Sequence, residues 1–188
     1  MGHNHKIYVD ENGRMSGSYE RTDAAGRLVG GHEYFTEHGI TYCRRFNADR
    51  ATLSLAACAA DQSLCGTVTL RSDLTHVEDS AFFQCRQITR VVLPEGLESV
   101  FENAFQDCTA LEEVVLPGTA GMDYGVFAGC SALRRLRYIG SLDAAVITVS
   151  LTSATESYEQ LRALTLCGPA GSAAEQAART LGCAFEAV

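Results

Sequence analysis

Ala104-Phe105-Gln106-Asp107-Cys108-Thr109-Ala110-Leu111-Glu112-Glu113-Val114-Val115-Leu116-Pro117 decides the fold, because the same pattern flanks it on both sides. Upstream, Ala81-Phe82-Phe83-Gln84-Cys85 is followed by Ile88, Val91, Leu93 and Pro94 at the same steps. Downstream, Val126-Phe127-Ala128-Gly129-Cys130 is followed by Leu133 and Leu136. Phe82 to Phe105 is 23 positions and Phe105 to Phe127 is 22, and the three Cys keep the same steps. A fixed period of this length marks one short supersecondary unit stacked on copies of itself, each burying its apolar face against the next. Such solenoids present surfaces far more often than they carry chemistry.

Within each unit the pairs Val68/Leu70, Val91/Leu93, Val114/Leu116 and Leu136/Tyr138 stand two residues apart, so each pair shares one face of a strand and points inward. The Phe column predicts a second spine under the opposite wall. Cys85, Cys108 and Cys130 then occupy one recurrent buried slot, suited to a small, weakly donating thiol, and read as free cysteines rather than disulfide partners. Free thiols fit a reducing compartment or an anaerobic source.

The flanks are less regular. Residues 1–38 read as a polar N-terminal arm or small hairpins, with a strand at Lys6-Ile7-Tyr8-Val9 and a turn ending in Asn12-Gly13. Residues 39–188 read as the repeat domain. In it 39–65 forms an N-terminal β-hairpin cap, from the strand candidates Thr41–Phe46 and Ala51–Leu55, and 167–188 forms a C-terminal cap. Ala163-Leu164-Thr165-Leu166 reads as a late strand, and Gly171–Arg179 as a helix with a Ser cap, stopped at Gly182. Between residues 139 and 166 the period slips by about five residues and loses its Phe and Cys. The fold class is therefore α/β and β-rich: a parallel sheet on the concave side, a short helical or irregular convex side, and a cap at each end.

The formal net charge of −8 and a pI near 5.1 exclude a basic nucleic-acid-binding surface as the organising feature. No stretch reaches the ~18 apolar residues of a membrane span. The N-terminus lacks the apolar segment of a signal peptide. The expected location is cytoplasmic if the chain is complete, and cell surface or secreted if an export signal has been removed.

The repeat residues and the tail Gly168–Ala178 resemble the BspA-like (Treponema-type) leucine-rich repeat family, whose unit carries Ala-Phe-x-x-Cys followed by Leu-x-x-Val-x-Leu-Pro. Residues 68–138 follow that pattern closely, and Thr41–Leu70 is similar to the β-rich entry that precedes such repeats. The resemblance implies a leucine-rich-repeat solenoid acting as a non-catalytic protein–protein interaction module, with adhesion or host-protein binding as its use in the family. The expected departures from the family are few repeats and no export signal or anchoring segment within the sequence as read.

A partner would meet the outward strand positions. One column runs Thr67, Arg90, Glu113, Arg135, Ala163 and the next Thr69, Val92, Val115, Arg137, Thr165. The predicted partner-binding set is Arg90, Val92, Glu113, Val115, Arg135 and Arg137, a small apolar patch beside arginines. The same alternation of sign also simply avoids like-charge clashes on an exposed sheet. No cofactor motif is present: no Gly-x-Gly-x-x-Gly, P-loop or Gly-x-Ser-x-Gly. His3-Asn4-His5 lacks a third ligand, and His32-Glu33…His38 beside Cys43 lacks the His-Glu-x-x-His spacing, so no catalytic or metal residue is assigned. His76 reads as a surface residue of a repeat turn. The alternative function is a metal- or small-substrate-binding activity in the N-terminal segment, with the solenoid as scaffold.

Overall fold

The computed structural model describes residues 2–11 and 14–188; the turn expected at Asn12-Gly13 and the side chains of His3, His5, Ser141 and Leu142 lie outside the described residues. The chain opens with an antiparallel meander of five strands: β1 (Gly2–Val9), β2 (Met15–Thr22), β3 (Leu28–Glu37), β4 (Ile40–Asn47) and β5 (Thr52–Ala60). The boundary expected at 38/39 falls in the His38-Gly39 turn of the β3–β4 hairpin, whose strands pair from Gly30↔Asn47 to Glu37↔Ile40. Backbone pairing therefore runs unbroken across it. Both turn residues sit in the left-handed region, His38 at φ 49° and Gly39 at φ 77°.

From residue 65 the chain winds between two parallel ladders. β6 (Cys65–Thr69), β8 (Gln87–Val92), β10 (Glu113–Gly118) and β12 (Arg135–Leu142) form one wall; β7 (His76–Val77), β9 (Ser99–Val100) and β11 (Gly121–Met122) form a second. The second wall continues the opening meander through β5, giving an eight-stranded sheet in the order β1-β2-β3-β4-β5-β7-β9-β11. The first wall gains β13 (Thr165–Gly168) and β14 (Ala184–Ala187) to become a six-stranded, wholly parallel sheet. The inward pairs behave as the alternation predicts: Val91, Val114 and Leu136 are fully buried, and Leu93, Leu116 and Tyr138 nearly so.

The connecting turns form a third ladder. Phe82 N–H donates to the Ala104 carbonyl at 2.7 Å and Phe105 N–H to the Val126 carbonyl at 3.0 Å, so each turn hangs on the next. The rings of Phe82 and Phe105 stack at 4.8 Å and those of Phe105 and Phe127 at 6.1 Å, all three fully buried. Cys108 Sγ donates to the Phe82 carbonyl at 3.1 Å, and Cys130 Sγ to the Phe105 carbonyl at 3.0 Å. A thiol in this slot thus ties its turn to the preceding one. That explains why a small donor recurs there rather than Ala. All eight cysteines are free. Each turn also holds two left-handed positions in register: Ser80, Asn103 and Gly125, then Gln84, Asp107 and Gly129.

The irregular stretch departs from expectation. α1 (Ala144–Ala154) forms although Val146-Ile147-Thr148-Val149 is a β-branched run of strand character. Asp143 starts it, accepting from the backbone N–H of Ala145 at 2.8 Å and Val146 at 3.0 Å. Its far end takes over the turn ladder, with Gly125 N–H donating to Ser153 O and Phe127 N–H to Ala154 O. α2 (Tyr158–Arg162) follows, capped by Ser157. α3 (Ala173–Leu181) matches the expected late helix and stops at Gly182 with φ 72°, but Ser172 makes no side-chain cap bond.

Candidate functional site

The outer face of the six-stranded sheet carries the predicted partner-binding residues, because Val68, Val91, Val114 and Leu136 point into the core and the residues on either side of each take the opposite face. Pairing places Thr67, Arg90, Glu113 and Arg135 in one row and Thr69, Val92, Val115 and Arg137 in the next. The expected fifth members were wrong by two residues. Arg135 pairs with Thr165 and Arg137 with Cys167, whereas Ala163 lies outside the strand. The two inserted helices reset the register there, and the 22–23-residue period no longer counts it.

The charges do not form the simple ladder that the column suggests. Arg90 Nε lies 3.4 Å from Glu113 Oε1, while Arg135 makes a two-pronged pair with Glu186 on β14, both nitrogen–oxygen distances being 2.9 Å. Glu186 was missed: it lies 51 residues from Arg135, and no local pattern announces it. The pair holds the Arg135 guanidinium further into its charged form, chiefly through the Glu186 hydrogen bond. Arg137 stands exposed, with no ion pair among the described residues. Val92 is half-buried, but Val115 is buried to 5%, so the apolar patch is smaller than the sequence suggests.

Beside Val92, at the C-terminal ends of the strands, lies an open groove of about 480 Å³. Thr69, Val92, Pro94, Glu95 and Ile139 contribute to its walls. Its lining is mainly apolar, and the row position next to Val115 belongs to Arg137. What the groove offers is shape and an apolar surface, with Ile139 on its wall two residues along β12 from Arg137.

The candidate set His32, Glu33, His38 and Cys43 does not form a metal centre among the described residues. His32 stacks on Tyr19 at 5.1 Å, Glu33 pairs with Arg44 at 2.8 Å, and His38 is exposed near Glu37. Among the described residues no group of three or more metal-binding side chains converges. His76 is not the plain surface residue that its position in a repeat turn suggests. Its ring stacks on Phe101 at 5.8 Å, and its Nδ1 lies 2.8 Å from Thr75 Oγ1.

Residues 54–145 match the BspA type leucine rich repeat region in six copies. The chain carries a BspA-type leucine-rich repeat region. Repeat regions of this kind mediate protein interactions and are typically non-enzymatic scaffolds. Among solved structures, the chain is similar to a Treponema pallidum leucine rich repeat protein. The two share 22% identity over 58% of this chain and 51% of that one, with a TM-score of 0.47. It is also similar to a leucine rich cell surface protein of Faecalibacterium prausnitzii, at 14% identity over 66% of this chain and 42% of that one, with a TM-score of 0.30. The chain thus spans about half or less of the length of either solved protein. No curated protein matches the chain. No helix among the described residues is long and apolar enough to cross a membrane.

Proposed function

We propose that this chain is a non-catalytic protein-interaction module that takes its partner on the outer, concave face of the six-stranded sheet, through Arg90, Val92, Glu113, Val115, Arg135 and Arg137. In this reading residues 39–188 form the repeat solenoid, closed at one end by the β4–β5 hairpin and at the other by α3 and β14. The observation that carries the proposal is exposed Arg137, without an ion pair among the described residues, in the same row as half-buried Val92, which lines the apolar groove. An exposed cation next to an apolar cleft suits a partner that offers a carboxylate beside an apolar side chain, and Arg is a favoured anchor of such contacts. Arg90 and Arg135, each engaged by a carboxylate of the same sheet, hold their shape and frame the contact. Adhesion to a host protein is the use that the family resemblance implies for such a face.

The test is affinity capture from extracts of the source organism and of a host, comparing wild type with Arg90→Glu/Arg137→Glu. The reading expects one protein held by wild type and lost by the double variant, with unchanged circular dichroism. Equal capture by both would move the contact off this face.

A further inference from the structure

A second feature lies on the other sheet. Across the eight-stranded sheet the pairing puts Tyr34, Cys43, Ala56 and His76 in one row, on the face opposite the buried Tyr42, Ala57 and Val77. Small Ser54 and Ala56 floor a cleft of about 170 Å³ there, walled by Cys43 and Arg45 on one side and His76 and Glu78 on the other. The β4–β5 ladder shifts register between Thr41↔Ala59 and Tyr42↔Ala57, so Cys58 is the extra, unpaired residue of a bulge. Cys43 pairs with Ala56, and Cys58 stands two residues further along that strand, which sets the two thiols beside one another across the ladder. The Cys58 thiol donates to the Ala56 carbonyl at 3.7 Å, and the electrostatics of Cys43 respond to both Cys58 and Tyr34.

We propose that Cys43 and Cys58 form a thiol-exchange site: Cys43, at the cleft wall, takes the first bond from a low-molecular-weight disulfide, and Cys58 then closes an intramolecular Cys43–Cys58 disulfide. The Cys43 thiolate attacks one sulfur of the small disulfide; a Cys43–sulfur bond forms, the small disulfide's bond breaks, and one small thiolate leaves and takes up a proton. Cys58, giving its proton to solvent, then attacks the Cys43 sulfur, and the second small thiolate leaves. Two protein thiols and one small disulfide become one protein disulfide and two small thiols, so the small disulfide is the oxidant and is itself reduced.

The surroundings favour this order. The Cys43 thiol is held down at about 7, first by the Cys58 hydrogen bond, then by the Tyr34 bond and the Arg45 charge, against burial and the Glu78 carboxylate. The neighbouring Cys43 sulfur, and then burial, push the thiol of Cys58 up, so it remains protonated while Cys43 ionises. The reacting sulfur is thus the one that faces the cleft, whose walls carry Arg45 on the Cys43 side and Glu78 opposite. Cys85, Cys108, Cys167 and Cys183 are all pushed up by their surroundings and have no such opening.

The probe is oxidised glutathione, added to the native full-length protein. Remaining thiols are alkylated, the chain is cut with trypsin and Asp-N to separate Cys58 from Cys65, and the products are read by mass spectrometry without reduction. The expected result is a Cys43–Cys58 cross-linked peptide. Cys58→Ser should stop at a stable glutathione adduct on Cys43, and Cys43→Ser should give neither product. Alkylation of native Cys43 by iodoacetamide should rise only about twofold from pH 7 to pH 9, against about 25-fold for an ordinary thiol near 8.5. A first adduct on Cys58 or Cys65, or a cross-link seen only in urea, would overturn the proposal. The wild-type time course alone decides this even if either variant fails to fold.

Discussion

Phe105→Ala is the sharpest test of the stacked turns. Phe105 is fully buried, with Phe82 at 4.8 Å on one side and Phe127 at 6.1 Å on the other. Burying such a side chain contributes about 1.5–3 kcal/mol by transfer alone, and each aromatic neighbour adds about 0.5–1.5 kcal/mol. Collapse around the vacancy is restricted, because the Phe105 backbone is tied to Val126 and its carbonyl accepts from Cys130 Sγ. The void therefore persists, and the expected loss is about 3–5 kcal/mol, the usual range for Phe→Ala in a core. With no Trp and seven Tyr in the chain, the assay is urea unfolding followed by far-ultraviolet circular dichroism and tyrosine fluorescence. Phe105→Leu, which keeps most of the volume, should lose far less. A loss below about 1 kcal/mol for Phe105→Ala, with an unchanged denaturant slope, would refute the claim that the Phe column is a spine, since core truncations of this size do not come so cheaply.

Three further outcomes follow from the same geometry. Burial pushes Cys85 up to about 12, and Cys108, Cys167 and Cys183 move in the same direction. The folded state thus prefers the protonated thiol, and its advantage is complete below the unfolded value of about 8.5 and is lost as the pH climbs toward 12. Urea midpoints should accordingly fall between pH 8 and pH 10, and a flat profile would contradict the burial. Gly129→Ala should lose about 1–2 kcal/mol in a thermal melt, because Gly129 sits at φ 68° and the added methyl would run into Asp107. Asp143→Ala removes a cap that holds two N–H groups of α1 and should lower stability by about 1 kcal/mol, read by urea unfolding.

The inward pairs and the Phe and Cys columns were legible because each occupies a fixed step in a repeating unit, and the structure places them in the core. The left-handed turn positions were not. Ser80 and Gln84 carry no signal alone, and only the glycines that replace them in the third copy, Gly125 and Gly129, reveal the constraint. α1 was hidden by its β-branched residues, and what outweighs their strand preference is the Asp143 cap together with the burial of Ile147, Leu151 and Ala154. On the candidate face, the pleat alone gives the row positions of Arg90, Val92, Glu113, Val115, Arg135 and Arg137 that the strand pairing shows, but not the burial of Val115. The Glu186 pair was beyond reach, because β14 lies next to β13 only after α3 has turned the chain back. The Cys43–Cys58 neighbourhood depends on a single-residue bulge, which a strand pattern does not reveal.

One detail of α1 bears on how such a chain can change in length. Ser150 Oγ accepts from Met122 N–H at 3.3 Å, and the last residues of the helix accept from Gly125 and Phe127, so α1 fills the place that the next short strand and the next turn would take. Before α1 the turns repeat the same backbone bonds, Phe82 to Ala104 and Phe105 to Val126, so a whole inner unit of 22–23 residues added there would meet the partners it needs. At α1 the bonds are made once only, and an added unit would meet a helix where it needs a strand and a turn. The inner units thus set the length of the stack, and α1 sets its end.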